Sequence, residues 1–122
     1  MGRLAIKRAY VPPAVSDGKR ILVDRLWPRG LRRADAELDD WMKDIAPSPE
    51  LRKWFGHVPA RFAEFSERYR KELDANPVPV AKLCAMLRDH DVTLVYGARD
   101  EHFNQARVLA DYIAARMHGS PD

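Results

Sequence analysis

Cysteine is nearly absent: Cys84 is the only one in 122 residues. That excludes an internal disulfide and any CxxC pair, and it suits a reducing compartment such as the cytoplasm. No apolar run approaches the roughly 20 residues of a membrane span. The opening MGRLAIKRAY has neither the apolar core nor the small-residue cleavage site of a secretory leader. Gly2 follows Met1, but position 6 is Ile6 rather than Ser or Thr, so a myristoylation signal is not expected. The four histidines, His57, His90, His102 and His118, fall at no recognisable metal spacing, and no HExxH, GxSxG or Walker loop occurs. No metal, cofactor or membrane partner is therefore expected. A zinc site assembled in space from His57, His102 and a carboxylate is the one metal alternative. There is no internal repeat and no low-complexity tract, and the length fits one domain over residues 1–122.

Net charge is also small, +3 from 21 Lys and Arg against 18 Asp and Glu. Its distribution is uneven. Residues 19–33 hold six basic groups and one acid, Asp24, whereas residues 34–50 hold six acids and one base, Lys43. Adjacent patches of opposite sign suit an anionic small molecule, nucleic acid, or pairing of two copies of the chain.

Periodicity gives an α/β fold. Residues 4–8 form a short strand ending before Pro12 and Pro13. The run 20–26 is continuously apolar at its start, as in a parallel strand buried on both faces, and Pro28 and Gly30 end it. Leu38, Trp41, Met42 and Ile45 share helical spacing, with Asp35 as N-cap and Trp41 facing the core. In APSPELRKWFGH, Ser48 caps, Pro49 takes the first helical position and Gly56 stops the helix. A helix over 60–74 turns Phe62, Phe65, Tyr69 and Leu73 inward. After the breakers Pro77 and Pro79, Val80, Leu83, Cys84 and Leu87 make a fourth amphipathic helix, with Cys84 as core. Residues 92–96 are the third strand, a last helix covers about 101–117, and the tail HGSPD frays. The architecture expected is a small, mostly parallel sheet of about three strands covered by about five helices in Rossmann-like layers.

If the strands at 20–26 and 92–96 are parallel, both end on the same sheet edge, where open α/β sheets bind ligands. The loops DRLWPRG and YGARDEHFN would then converge. The first offers Asp24, Arg25, Trp27, Arg29 and Gly30; the second offers Gly97, Arg99, Asp100, His102 and Asn104. Arg25, Arg29 and Arg99 supply planar donor forks for phosphate or carboxylate. Gly97 permits close backbone approach. His102, in the first turn of the last helix, would be held towards its neutral form by the helix dipole. Asp24, Asp100 and His102 are the candidate proton-transfer groups, with His57 as a further ligand-facing residue. Each has a plainer reading: Asp100 as a helix cap, His57 as a surface turn residue, and Trp27 as a cover over the sheet.

Taken together, ILVDRLWPRGLRR, APSPELRKWFGH, RFAEFSERYRKEL and VTLVYGARDEHFNQARVLADYI resemble the YeaO-like branch of the domain-of-unknown-function family 488. The likeness covers nearly the whole chain, and Asp24-Arg25 and Pro28-Arg29-Gly30 match that branch. It implies a compact α/β domain and carries no established reaction. Longer members of the family have cysteines after the last strand, where this chain has Tyr96, Phe103 and Asn104. That departure argues against thiol or cysteine–metal chemistry here.

Acids set among the arginines favour a small, oriented anionic ligand, phosphate- or nucleotide-like, held at the strand ends. The alternative is a nucleic-acid-binding or regulatory protein using the basic segment 19–33. Either could act as a monomer or as a homodimer joining the basic loop of one copy to the acidic stretch of the other.

Overall fold

The fold is built round one strand. In a computed structural model, which describes residues 2–118, β4 (Val92–Tyr96) has all five residues buried and hydrogen-bonds neighbours on both sides. β1 (Leu4–Arg8) and β2 (Lys19–Leu22) flank it, and the two-residue β3 (Asp40–Trp41) extends the far side. The order is β1-β4-β2-β3 and every pair is parallel. Register sets Ile21 opposite Leu94 and Leu22 opposite Val95. Pairing runs on past β2, where the Val23 N–H donates to the Val95 carbonyl at 3.0 Å.

Alternation along the strands divides the core. Ile21, Val23, Val92, Leu94 and Tyr96 join the large cluster with α2 (Pro49–Phe55), α3 (Phe62–Asp74), α4 (Pro77–Asp89) and α5 (Gln105–His118). Leu22 and Val95 fall on the other face with Ala9. There they are covered by Trp27, Leu31, Leu38 and Trp41, from the segment that carries the one-turn helix α1 (Arg33–Ala36). No helix among the described residues is long and apolar enough to cross a membrane.

Local differences from the sequence expectation have identifiable causes. The helix expected over 38–45 is replaced by β3 and a single 3₁₀ turn at Lys43–Ile45. Pairing of Asp40 and Trp41 with Ile21 and Leu22 overrides the helical spacing and adds the fourth strand. Trp41 is consequently half-buried at the sheet's margin rather than central in the core. β2 stops at Leu22, so Asp24 and Arg25 already lie in the loop. α4 starts at Pro77 and tolerates Pro79, because the first-turn N–H groups of a helix have no intrahelical partner to lose. Of the surface pairs expected on α3, Glu64–Arg68 forms, and Glu67–Lys71 is not among the ion pairs of the described residues. Of the tail, residues 119–122 lie outside the described residues.

At the opposite edge from the strand ends, a buried ionic knot fixes the start of β2. Asp17 is 7% exposed and Arg20 3%. One carboxylate oxygen of Asp17 accepts from Arg20 Nη1 at 2.7 Å and from the Ala14 N–H at 3.0 Å, and Lys7 Nζ lies 3.0 Å from both. Burial alone would raise the Asp17 carboxyl; the hydrogen bonds from Ala14, Lys7 and Arg20 outweigh it and hold the group below its usual 3.8. Arg20 Nε reaches the Ala36 carbonyl at 3.0 Å, while Nη2 has no partner among the described residues. Removing the carboxylate strands a buried guanidinium. Asp17→Ala is therefore expected to cost about 3–5 kcal/mol in urea unfolding. In the wild type this contribution is present above pH 3.8 and lost as pH falls through the lower folded value. An Asp17→Ala protein within 1 kcal/mol of wild type would contradict this reading.

Candidate functional site

Because β2 and β4 are parallel, the chain leaves both at the same sheet edge. A cleft of about 780 Å³ opens there, between the loop after β2, the loop after β4, and α2 with its flanking turns. Asp24 is its hinge point. Oδ2 accepts the Gly97 N–H at 2.8 Å, and Oδ1 accepts Gln105 Nε2 from the first turn of α5. One carboxylate thus ties the two loops and a helix together. A side chain at position 97 would place its Cβ 3.0 Å from Oδ2, a tight contact that would press on the Asp24 carboxylate. The Asp24 carbonyl also accepts Trp41 Nε1 at 2.7 Å, linking this loop to the short edge strand.

Burial pushes the Asp24 carboxyl up to about 6, against the pull of the Gly97 N–H, the Arg52 charge and the Gln105 amide. A carboxyl raised in this way inside a cleft marks the place where function is most often found.

Four cations and one histidine line the same cleft: Arg25, Arg29, Arg52 and Lys53, with His57; Asp24 and Glu50 are the acids. Arg25 is braced. Its guanidinium donates to the carbonyls of Pro47 and Ala46 at 3.3 and 3.2 Å. That segment is itself pinned where Glu72 accepts from the Ser48 N–H and hydroxyl at 2.8 and 2.6 Å. Ser48 Oγ in turn caps α2 by accepting the Leu51 N–H at 3.1 Å, and Pro49 opens the helix. Arg29, Arg52 and Lys53 are exposed, and none forms an ion pair among the described residues. α2 ends at Gly56 (φ 54°), and His57 follows with φ 59°. A left-handed histidine carries backbone strain. The walls between the charges are apolar, with Leu26, Trp27, Pro28, Phe55 and Phe65.

Six residues singled out in the sequence therefore meet at the cleft: Asp24, Arg25, Trp27, Arg29, His57 and Gly97. Trp27 also covers the sheet, edge-on to Trp41 at 5.4 Å, with its Nε1 donating to the Leu31 carbonyl. The other five are not among the lining residues. Gly30 (φ 76°) makes the turn and has open space where a Cβ would stand. Arg99 is exposed. Asp100 closes its own turn, Oδ1 accepting the N–H groups of His102 and Phe103, each at 2.9 Å, and these hold its carboxyl below 3.8. Asn104 Oδ1 accepts the Arg107 N–H at 3.0 Å and so starts α5, three residues beyond His102. His102 is exposed ahead of the helix, so the dipole argument does not apply to it. Among the described residues no three His, Cys, Asp or Glu side chains are grouped to hold a metal ion.

Gln105, Arg52 and Lys53 are among the cleft residues the sequence did not single out as site candidates. Arg52 and Lys53 are legible once α2 is known to face the strand ends. Gln105 has no local signal, since its contact with Asp24 spans 81 positions.

Carboxyl-detected NMR should find Asp24 titrating near pH 6. For a raised carboxyl the sign runs opposite to Asp17: its share of stability is greatest below the unfolded value of 3.8 and is lost as pH rises towards 6. Gln105→Leu removes a donor to the ionised form and should move the midpoint higher. An Asp24 midpoint near 4 in both proteins would contradict the burial argument.

The chain matches one family model, described as the inactive DUF488-N3 subclade, over residues 3–121. It is 45% identical over 107 residues to the uncharacterized protein YeaO of Escherichia coli strain K12, covering 88% of this chain and 93% of that one. Uncharacterized proteins of Mycobacterium bovis and Mycobacterium tuberculosis are 40% identical over 114 residues, 93% of this chain and 96% of theirs. No solved structure matches it. On these grounds and on its α/β architecture, the chain belongs to the DUF488-N3 family, in the subclade described as inactive.

Proposed function

We propose that the protein binds a small organic anion in the cleft at the carboxyl ends of β2 and β4, without transforming it. The observation that carries this reading is the charge arrangement. Arg29, Arg52 and Lys53 face the cleft and form no ion pair among the described residues, beside a recessed Asp24 whose position is fixed from both loops. Unneutralised cations on an open concave wall are complementary to phosphate or carboxylate. Two further points favour binding over catalysis. The family description carries the word inactive. Asp100 and His102, the other candidate proton carriers, are not among the lining residues, so the three proton-transfer groups expected from the sequence do not assemble at the cleft.

The use made of the basic segment weighs against a nucleic-acid partner. Arg20 is buried on Asp17, Arg25 donates to two carbonyls, Arg32 pairs with Asp35 at 3.0 Å, and Arg33 lies 4.4 Å over Trp27. Of the six basic groups in 19–33, Arg20 and Arg32 are thus paired with carboxylates and Arg25 is held on carbonyls, which reduces what the segment offers a phosphate backbone. The acidic stretch is likewise partly spent, Asp35 on Arg32 and Asp40 on Lys82. A monomer in a reducing cytoplasm suits a chain whose single thiol is buried.

A thermal-shift screen of small phosphates and carboxylates tests the reading. Stabilisation by at least one of them is expected, about 2.7 kcal/mol at a concentration a hundredfold above its Kd. Arg52→Ala with Lys53→Ala should weaken that anion at least tenfold while leaving the unliganded Tm nearly unchanged. Stabilisation only by duplex DNA or RNA, lost steeply with salt, would replace this reading with backbone binding.

A further inference from the structure

The cleft's dimensions and the placement of its polar groups say more about the occupant than its charge. The volume, about 780 Å³, lies within the range of roughly 300–1,000 Å³ typical of sites for drug-sized molecules. An inorganic anion held on Arg29, Arg52 and Lys53 would leave most of that space filled with water against apolar walls. Those walls are substantial: Leu26, Trp27, Pro28 and Phe55 line the cleft, and Leu26 is 61% exposed. A large apolar side chain left open beside unpaired cations is ready to cover a flat apolar surface.

Asp24 provides a second polar contact, partly buried at the strand ends where Arg29, Arg52 and Lys53 are exposed. Its two oxygens each accept one protein donor, Gly97 N–H and Gln105 Nε2. An ionised carboxylate has about four acceptor positions, so roughly two remain. These can take an N–H or O–H from a ligand. A second anion is disfavoured next to them, so the ligand's own negative group belongs with Arg29, Arg52 and Lys53. The recessed carboxylate and the exposed cations thus specify two different polar groups of one molecule, a donor and an acid.

Building on the anion-binding reading above, we infer that the ligand is a flat heterocycle carrying hydrogen-bond donors and one phosphate or carboxylate, of the size of a nucleoside monophosphate. Leu26 and Trp27 cover the ring, Asp24 accepts from its donor edge, and Arg29, Arg52 and Lys53 hold the acid group. Asp24 is then the residue that decides which heterocycle enters. Rings with an N–H or amino group facing it gain a charge-assisted hydrogen bond, and rings presenting only acceptors leave a buried carboxylate repelled.

Calorimetric titration with four probes at pH 7.5 tests this: inorganic phosphate, adenosine, AMP, and AMP dimethylated at its exocyclic amine, which removes that donor. AMP is expected to bind at least tenfold more tightly than phosphate or adenosine, and dimethylation to cost about tenfold. Leu26→Ser should weaken AMP severalfold and leave phosphate unchanged, and being at an exposed position it keeps the fold. Asp24→Asn should narrow the gap between AMP and its dimethylated form. Phosphate binding as tightly as AMP would overturn this inference while leaving the anion site intact. Adenosine binding as tightly as AMP, or equal binding of both AMP forms, would also overturn it. Failure of all four probes, together with failure of the wider anion screen, would remove the anion reading itself.

Discussion

β4 is bonded in parallel on both sides, and the cleft depends on that arrangement. Parallel pairing with β2 carries two separate loops to one edge, more than 70 residues apart in sequence. The register that places Leu22 against Val95 then sets Asp24 within reach of Gly97. A shift of β2 by one residue would turn Ile21 away from the helices and take Asp24 out of position. The central packing and the site geometry are therefore one constraint. The Asp17–Arg20 pair anchors one end of β2, and the Asp24 contacts tie down the other.

The two aspartates show how similar groups diverge with their surroundings. Asp17 is enclosed by Lys7, Arg20 and a backbone N–H, and stays charged at a cost the partners offset. Asp24 receives one backbone N–H and one neutral amide, and these together with the Arg52 charge do not offset its burial. It has acceptor positions left over, while Arg29, Arg52 and Lys53 in the same cleft form no ion pair among the described residues. A structure that leaves both deficits facing the same space is complementary to a ligand that fills both.

Much of this was legible in the sequence. Residues 92–96 announce a buried strand, the Ser48-Pro49 start and Gly56 stop delimit α2, and parallel pairing follows from the apolar run at Ile21 to Val23 with helices between. From that topology alone Asp24, Arg29 and Gly97 fall together. The misreadings were of two kinds. At 38–45 a helical spacing was outweighed by pairing to β2, which no local window contains. At 101–104 the Asp100 side chain closes a turn of its own, so the helix starts late and Gln105 rather than His102 is presented to Asp24. Contacts such as Gln105 to Asp24 arise only after the chain has folded, and periodicity cannot register them.

The most direct measurement is an amide ¹H–¹⁵N shift map of the protein titrated with a bound phosphate or carboxylate. The account predicts saturable shifts in three separated stretches at once, about residues 24–29, 52–57 and 97–98, with the rest of the spectrum still. Shifts spread along 19–33 and absent from 52–57 and 97–98 would contradict it, since the anion would then be meeting a basic surface rather than the cleft.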